Sequence, residues 1–258
     1  TGTTATGTYT ILAGHTSADL TATSVVVNTT VRDLALNNLV VTLPGTNIAT
    51  GSNIVVDTTS PIITSIASIS PNGTYPLGAN ITVRINFSEV ITLVGTMGIN
   101  LDTGGVAVVS AFTGTTATGV YTVLTGHNSP ALNATSITVN SSAKDIALNN
   151  LISTLPGINI ATGNTLVIDT IAPTITSITS LTANGSYKAG DIITVRINFS
   201  EIVTLIGTLG INLDSGGVAI VNPFVGTTAT GTYNVLAGQT SNNLTATGLT
   251  INGSAKDL

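Results

Sequence analysis

The sequence predicts an all-β protein built from tandem β-sandwich repeats, each of about 112 residues. Three observations predict this: self-similarity at a fixed period, apolar and polar residues that alternate along short stretches, and Gly, Asn, Ser and Pro between those stretches. Alternation with a period of two is typical of a strand with one buried face. About seven such strands in each repeat favour a two-sheet sandwich.

The repeat is visible without insertions or deletions. The segment TGTTATG at Thr1 recurs at Thr113, and RINFSE at Arg84 recurs at Arg196. A fixed period of this size is typical of an array of similar units. Because 258 residues hold two full periods and part of a third, we expect a longer parent protein with further repeats.

The joints between repeats are predicted just before two prolines, Pro61 and Pro173, which follow β-rich segments. Proline cannot donate to a strand ladder and therefore marks the edge of a strand. On this basis residues 1–57 are the C-terminal part of one repeat, 58–169 form a complete repeat, and 170–258 are the N-terminal part of a further repeat.

The strands of the complete repeat follow from the alternation. Residues 81–87 place Ile, Val, Ile and Phe on one face, and Arg84 lies on the other. Gly104 and Gly105 predict a tight hairpin turn, since glycine supplies the positive φ angles that such turns need. The alternation continues in pairs of apolar residues, at Tyr121 and Val123, Ile137 and Val139, and Leu166 and Ile168.

Composition argues against several classes of partner. Only 7% of the residues are charged, the net charge is −5, and the six basic residues are scattered. Such a chain lacks the basic patch that nucleic acid or an anionic membrane would require. No apolar run is long enough to span a bilayer as a helix, so we predict no membrane insertion by this segment. The absence of Cys excludes disulfides and thiolate metal sites.

Several motifs together resemble a known family. They are ANGSYKAGDIITVRINFSE from Ala183, the joints DTTSP and DTIAP, the turns LDTGG and LDSGG, YTVLTG, and AKDIALNN from Ala143. These are similar to the bacterial Ig-like repeats of large surface adhesins and S-layer-associated proteins. The resemblance covers the whole chain and implies tandem immunoglobulin-like sandwiches, an extracellular or cell-surface location and, in many members, calcium near the domain junctions.

The acidic residues are candidate calcium ligands, because nine of the eleven recur at the repeat period. Calcium takes six to eight oxygen ligands, usually with several carboxylates. The candidate ligands are Asp57, Glu89 and Asp145, with their counterparts Asp169, Glu201 and Asp257. Asn149 and backbone carbonyls are expected to complete the shell. The alternative is structural: Asp57 caps a turn, and Glu89 or Asp145 pairs with Arg84 or Lys144.

Catalysis is not predicted. His15 and His127 occupy equivalent positions, but the third copy has Gln239, which cannot titrate as a general base. The motifs of nucleophilic and metal-dependent enzymes are missing. A pair of carboxylates, Glu89 and Asp102, is the one arrangement left for a glycosidase.

We therefore predict a structural or adhesive segment of a long extracellular surface protein or filament, which acts as a semi-rigid extender. Its expected partners are the neighbouring repeats and, in a filament or surface layer, like chains. The alternative is a carbohydrate-binding or receptor-binding module with a ligand held by the loops at one end of the sandwich.

Overall fold

The computed structural model describes residues 2–257 and divides into two compact units, Thr1–Asp169 and Thr170–Leu258. The described residues form β-strands, two 3₁₀ helices of three residues each, and loops, without an α-helix. The all-β fold class is confirmed, and the sheets are consistent with a β-sandwich. No helix among residues 2–257 is long and apolar enough to cross a bilayer.

The first unit holds six strands, all within residues 58–169. They are β1 (Ile63–Ser68), β2 (Gly73–Tyr75), β3 (Asn80–Leu101), β4 (Val106–Thr122), β5 (Ala134–Lys144) and β6 (Leu166–Ile168). One sheet has the order β1-β3-β4, with β5 also paired to β3, and all these pairs are antiparallel. The short strands β2 and β6 form a separate parallel pair.

Two of these strands are far longer than the short strands predicted from the sequence. β3 has 22 residues and β4 has 17, and they form one long hairpin. Its register shifts between Asn86 and Ile91 and again between Leu93 and Thr96. Such irregularities bend a strand, and residues from both halves of β3, such as Ile85 and Ile99, belong to one core. A single bent hairpin therefore replaces several of the expected shorter strands.

The predicted inward face of β3 is confirmed. Ile81, Val83 and Ile85 are fully buried, and Phe87 is 6% exposed. Arg84, between them, is exposed. Because alternate residues of a strand point to opposite faces, the alternation read from the sequence fixes which side chains enter the core.

The hairpin turn after β3 corrects one prediction. Gly104 has the expected positive φ of 82°, but Gly105 does not lie in that region. Gly105 is needed for a different reason: a Cβ atom there would collide with the ring of Tyr121. The second glycine therefore makes room for a buried ring, and the turn itself requires only the first.

The C-terminal part of the repeat closes its core. The 3₁₀ helix Ile160–Thr162 and strand β6 contribute Ile160, Leu166 and Ile168, whose side chains are at most 2% exposed. The side chain of Asn159, which caps this helix, both accepts from and donates to the backbone of Ala134. Burial of these aliphatic side chains stabilises the unit by about 1.5–3 kcal/mol each.

Residues 2–57 have no β-strand. They contain a 3₁₀ helix, Ile48–Thr50, and isolated antiparallel bridges between Ser17 and Val56 and between Arg32 and Asn38. Many large apolar side chains here are exposed, among them Val26 at 77% and Leu34 at 96%. This segment thus keeps local contacts but no sheet.

The second unit has five strands and a separate core. They are β7 (Ile175–Ser180), β8 (Ile192–Leu213), β9 (Val218–Val221), β10 (Phe224–Asn234) and β11 (Ala246–Lys256). The sheet order is β10-β9-β8-β11, with β7 paired to β8. Ile175 pairs with Phe199 as Ile63 pairs with Phe87, so the register agrees at equivalent positions of the two repeats.

Candidate metal centre

Three of the candidate ligands lie together in the first unit. Asp57 follows the buried Val56, Glu89 lies in the middle of β3, and Asp145 follows β5. One carboxylate oxygen from each residue lies within 4.8 Å of the other two. Residues far apart in the chain therefore place three acidic groups at one point.

Asp145 is held by a tight turn. Its carboxylate accepts a hydrogen bond from the backbone N–H of Asn149 at 2.8 Å and another from the side-chain amide of Asn149 at 2.8 Å. Leu148, inside the turn, has a φ of +69°. Asp145 is only 3% exposed. The turn thus fixes a buried carboxylate, and Asn149 takes the place of the Lys144 partner considered from the sequence.

Asn149 also connects this turn to the joint. Its side-chain amide donates to the backbone carbonyl oxygen of Asp57 at 3.2 Å. Asp57 in turn accepts a hydrogen bond from the backbone N–H of Thr59 at 2.8 Å, which is the turn-capping contact considered from the sequence. Asp57 therefore both caps a turn and lies within the cluster of Asp57, Glu89 and Asp145, which we call the acidic cluster.

The electrostatics of the acidic cluster are unfavourable for three negative charges. Burial raises the pKa of Glu89 above its ordinary value of 4.5, and the negative charges of Asp57 and Asp145 raise this pKa further. Like charges at close range disfavour the ionised form of an acid. A cation bound among the three carboxylates would remove this repulsion.

The donor set suits a hard cation. Two oxygens that bind one calcium ion at 2.3–2.6 Å are at most about 5 Å apart, and the oxygens of the acidic cluster lie within 4.8 Å of one another. The cluster has only carboxylates and no imidazole or thiolate, and oxygen ligands favour Ca²⁺ or Mg²⁺ over zinc. Asp57, Glu89 and Asp145 thus have the right chemistry to bind calcium.

Hydrogen bonds fix the joint itself on both sides. The hydroxyl of Thr58 accepts from the N–H of Gly14 and donates to the carbonyl of His15. On the other side, Ile62 and Ser88 exchange two hydrogen bonds. The sequence analysis missed Thr58 and Ser88, although the recurrence of both at the repeat period was a visible signal.

The other three candidate ligands, Asp169, Glu201 and Asp257, are half-buried. Asp169 belongs to the first unit, whereas Glu201 and Asp257 belong to the second. Glu201 lies within β8, and Asp257 follows β11, so their places in their strands match those of Glu89 and Asp145.

Asp102 lies away from the acidic cluster. It accepts hydrogen bonds from the Ser129 hydroxyl and the Asn133 N–H, and so connects the hairpin turn to a following loop. The paired, extended part of β3 separates it from Glu89. At about 3.3 Å per residue this places the two carboxylates roughly 30 Å apart. A glycosidase needs a separation of less than about 10 Å, so this pair does not form such a site.

The two histidines act as hydrogen-bond acceptors. Nδ1 of His127 accepts from the N–H of Leu124 and contacts the hydroxyl of Tyr121 at 2.9 Å. In the third copy Oε1 of Gln239 makes the same two contacts, with Leu236 and Tyr233. An amide oxygen and an unprotonated ring nitrogen are equivalent in this role, which explains why Gln replaces His.

Neither the protein-family profiles nor the curated protein sequences contain a match to the chain.

Proposed function

We propose that this chain is an extender segment of a long extracellular surface protein or filament, with immunoglobulin-like sandwich repeats joined in series. Its role is to hold a distant part of the molecule away from its point of attachment. Calcium bound by Asp57, Glu89 and Asp145 stiffens the joint between repeats. The family resemblance of the sequence motifs supports the repeat architecture and the extracellular location.

The observation that carries the proposal is the short, fixed joint after residue 57. Asn149 bonds to the backbone of Asp57, and Thr58 bonds to the preceding segment. Ile152 donates its N–H to the carbonyl of Pro61. A linker of a few residues with a proline and with its polar groups bonded on both sides bends little. Such a joint suits a semi-rigid rod.

Calcium adds to this stiffness because its ligands come from both sides of the joint. Asp57 precedes the joint proline, whereas Glu89 and Asp145 belong to the repeat that follows. An ion that binds all three opposes bending at this point and stabilises the folded unit. A ligand present at 100 times its Kd stabilises the folded state by about 2.7 kcal/mol.

Thermal melts followed by circular dichroism, together with calorimetric titration, test the calcium site. Calcium is expected to raise the melting temperature of the wild-type chain, and Mg²⁺ to raise it less. Glu89→Gln is expected to weaken calcium binding at least tenfold, whereas Asp19→Asn, an exposed acid outside the acidic cluster, leaves it unchanged. Superimposable wild-type melts in calcium and in chelator would remove calcium from the proposal.

Distance measurements between two spin labels test the stiffness of the joint. The chain has no Cys, so Val26→Cys and Val108→Cys, both at exposed positions, allow specific labelling on either side of the joint. A narrow distance distribution is expected, and Thr58→Ala combined with Asn149→Ala is expected to broaden it. A wild-type distribution as broad as that of the double variant contradicts a semi-rigid extender.

Specific binding of a glycan by the chain would instead favour the carbohydrate-binding alternative.

A further inference from the structure

A tripeptide on strand β5 recurs in all three copies of the repeat. It reads NSS at residues 140–142, and its counterparts read NTT at residues 28–30 and NGS at residues 252–254. The middle residue differs in each copy, whereas the first is always Asn and the third always has a hydroxyl. Asn-X-Ser/Thr, with X other than Pro, is the acceptor sequence for N-linked oligosaccharides. Within the tripeptide, the copies therefore keep the two features that an acceptor sequence requires.

The structure leaves the side chain of Asn140 accessible. It is exposed and lies on β5, which spans Ala134–Lys144. Its amide nitrogen Nδ2 donates to the hydroxyl of Thr96 at 3.3 Å, which is longer than the usual 2.7–3.2 Å for such a bond. Nδ2 is the atom to which a sugar is attached in this modification, so a weak contact leaves it available.

The complete repeat contains four other tripeptides of this type, and the structure gives each asparagine another role. They begin at Asn72, Asn80, Asn86 and Asn133. Each of these side chains forms a shorter hydrogen bond, of 2.7–3.2 Å, and the partners are in turn Thr165, Thr122, Ser65 and Ala161. Asn86 and Asn133 are also half-buried, and Phe87, which follows Asn86, is buried. Of the five asparagines, Asn140 is therefore held least by its own repeat.

The backbone at Asn140 departs from regular strand geometry. Ser141 has a φ of 115°, in a region that residues with a side chain rarely adopt, and its counterpart Gly253 has a φ of 129°. Gly95 of β3, which pairs with Ser141, has a φ of 82°, and a Cβ atom there would collide with the carbonyl oxygen of Asn140. Strained positions of this kind are found mainly at functional sites. Both strands are thus shaped around the point at which Asn140 lies.

Strand β5 is an edge strand with little protection. It pairs with β3 and with no other strand among the described residues, and only its two ends bond to further segments, at Ala134 and at Ala143. Residues 135–142 have no charge and no proline, which are the usual means of blocking such an edge. An open edge can pair with a strand of another chain. A bulky, hydrated oligosaccharide at Asn140 would prevent this pairing.

We propose that Asn140 carries an N-linked oligosaccharide, which covers the free edge of β5. This rests on the extracellular location in the proposed function, because such oligosaccharides are attached to exported chains. The reaction joins Nδ2 of Asn140 to C1 of the first sugar of a glycosyl diphosphate donor. Nδ2 loses one proton, and the diphosphate carrier leaves with the electron pair of the broken C1–O bond.

Mass spectrometry of the protein, isolated from the cells that naturally produce it, tests the modification. The wild-type peptide that contains Asn140 is expected to have the added mass of one or more sugars. Asn140→Gln removes the acceptor and Ser142→Ala removes only the hydroxyl, and each is expected to abolish the modification at this position. Ser142→Thr, which has the residue found at Thr30, is expected to retain it. Asn72→Gln, at another exposed tripeptide of this type, is the matched control and leaves the modification of Asn140 unchanged.

An unmodified Asn140 in the wild-type chain overturns the proposal, and so does added sugar mass that persists in Ser142→Ala. Fractionation of the same cells tests the proposed function separately. A chain at the cell surface with an unmodified Asn140 contradicts the oligosaccharide and leaves the extender role in place. A chain retained inside the cell contradicts the extracellular location.

Light scattering tests the role of the oligosaccharide at the edge of β5. Asn140→Gln is expected to associate at lower concentrations than the glycosylated wild type, because the edge is then open to pairing. Asn72→Gln is expected to behave like wild type. Equal association of Asn140→Gln and wild type contradicts the covering of this edge.

Discussion

Residues 2–57 and 114–169 have nearly the same sequence but different structures. In the later copy the chain forms β5 (Ala134–Lys144) and β6, whereas residues 2–57 have no strand. Val25, equivalent to Ile137 of β5, is 44% exposed. In the later copy β5 pairs with β3 and β6 pairs with β2, whereas residues 2–57 pair with no strand among the described residues. Strand formation in this protein therefore depends on the partner strands more than on local sequence.

Turns behave differently, because both copies keep them. Tyr9 and His15 stack with ring centroids 5.6 Å apart, as Tyr121 and His127 do. Asn37 donates the same two hydrogen bonds to Asp33 that Asn149 donates to Asp145. These bonds hold the pKa of Asp33 below its usual value, and the bond from the Asn37 side chain has the larger effect. These contacts join residues close together in the chain and need no distant partner.

The largest contrast is expected at the isoleucine of the 3₁₀ helix. Ile160→Ala removes a fully buried side chain and is expected to lower the free energy of unfolding by about 2–5 kcal/mol. Ile48→Ala, at the equivalent position, is expected to change it by less than about 0.5 kcal/mol, as for most surface substitutions. Urea denaturation followed by circular dichroism measures both. Equal losses for the two variants would contradict the comparison.

The next contrast concerns the Asp–Asn turns. Asn149→Ala removes hydrogen bonds to Asp145 and to the Asp57 carbonyl, and it is expected to destabilise the first unit by about 1–2 kcal/mol. Asn37→Ala acts on an exposed turn and is expected to have a much smaller effect. The same urea experiment compares them. A larger effect at Asn37 would show that the joint contact is not important for stability.

A third prediction uses the natural exchange of His for Gln. His127→Gln is expected to leave the free energy of unfolding within about 0.5 kcal/mol of wild type, because Gln239 makes the same two contacts. His127→Ala leaves Leu124 and the buried Tyr121 without their acceptor and is expected to cost about 1 kcal/mol. Thermal melts of the two variants rank their stabilities. A His127→Gln variant that is less stable than His127→Ala would contradict the acceptor role.

The smallest expected effect is a dependence on pH in chelator. The folded-state pKa of Glu89 is raised above 4.5, so the folded chain holds this proton more tightly than the unfolded chain. The contribution of Glu89 to stability is therefore greatest below its unfolded pKa and is lost as the pH rises through the folded pKa. Melts of wild type and Glu89→Gln are expected to converge as the pH falls from neutral to the ordinary pKa of a glutamate. A gap that widens toward low pH would contradict the repulsion within the acidic cluster.

The sequence predicted the inward face of β3 but not the length of that strand. Alternation at Ile81, Val83 and Ile85 depends only on the two-residue period of a strand, which any pairing preserves. β3 continues to Leu101 because it remains paired with β4 and β5 beyond the register shifts at which it bends. No local pattern near Phe87 marks this bend.

The acidic residues illustrate the same division. Recurrence at the repeat period selected Asp57, Glu89 and Asp145 as candidates, and the spacing of Asp145 and Asn149 was visible in AKDIALNN. The contact of Asn149 with Asp57 joins residues 92 positions apart, and Thr58 bonds to residues 43 and 44 positions earlier. Such contacts depend on how strands are placed in space, which no local pattern in the sequence specifies.

By itself, the sequence determined the all-β class, the residues that alternate between core and surface, and the short turns, because each of these depends on neighbours within a few residues. Only the tertiary structure decided which of two nearly identical segments forms strands, and that three acids meet at one point. A strand satisfies its backbone groups through another strand, so its formation depends on a partner that lies elsewhere in the chain.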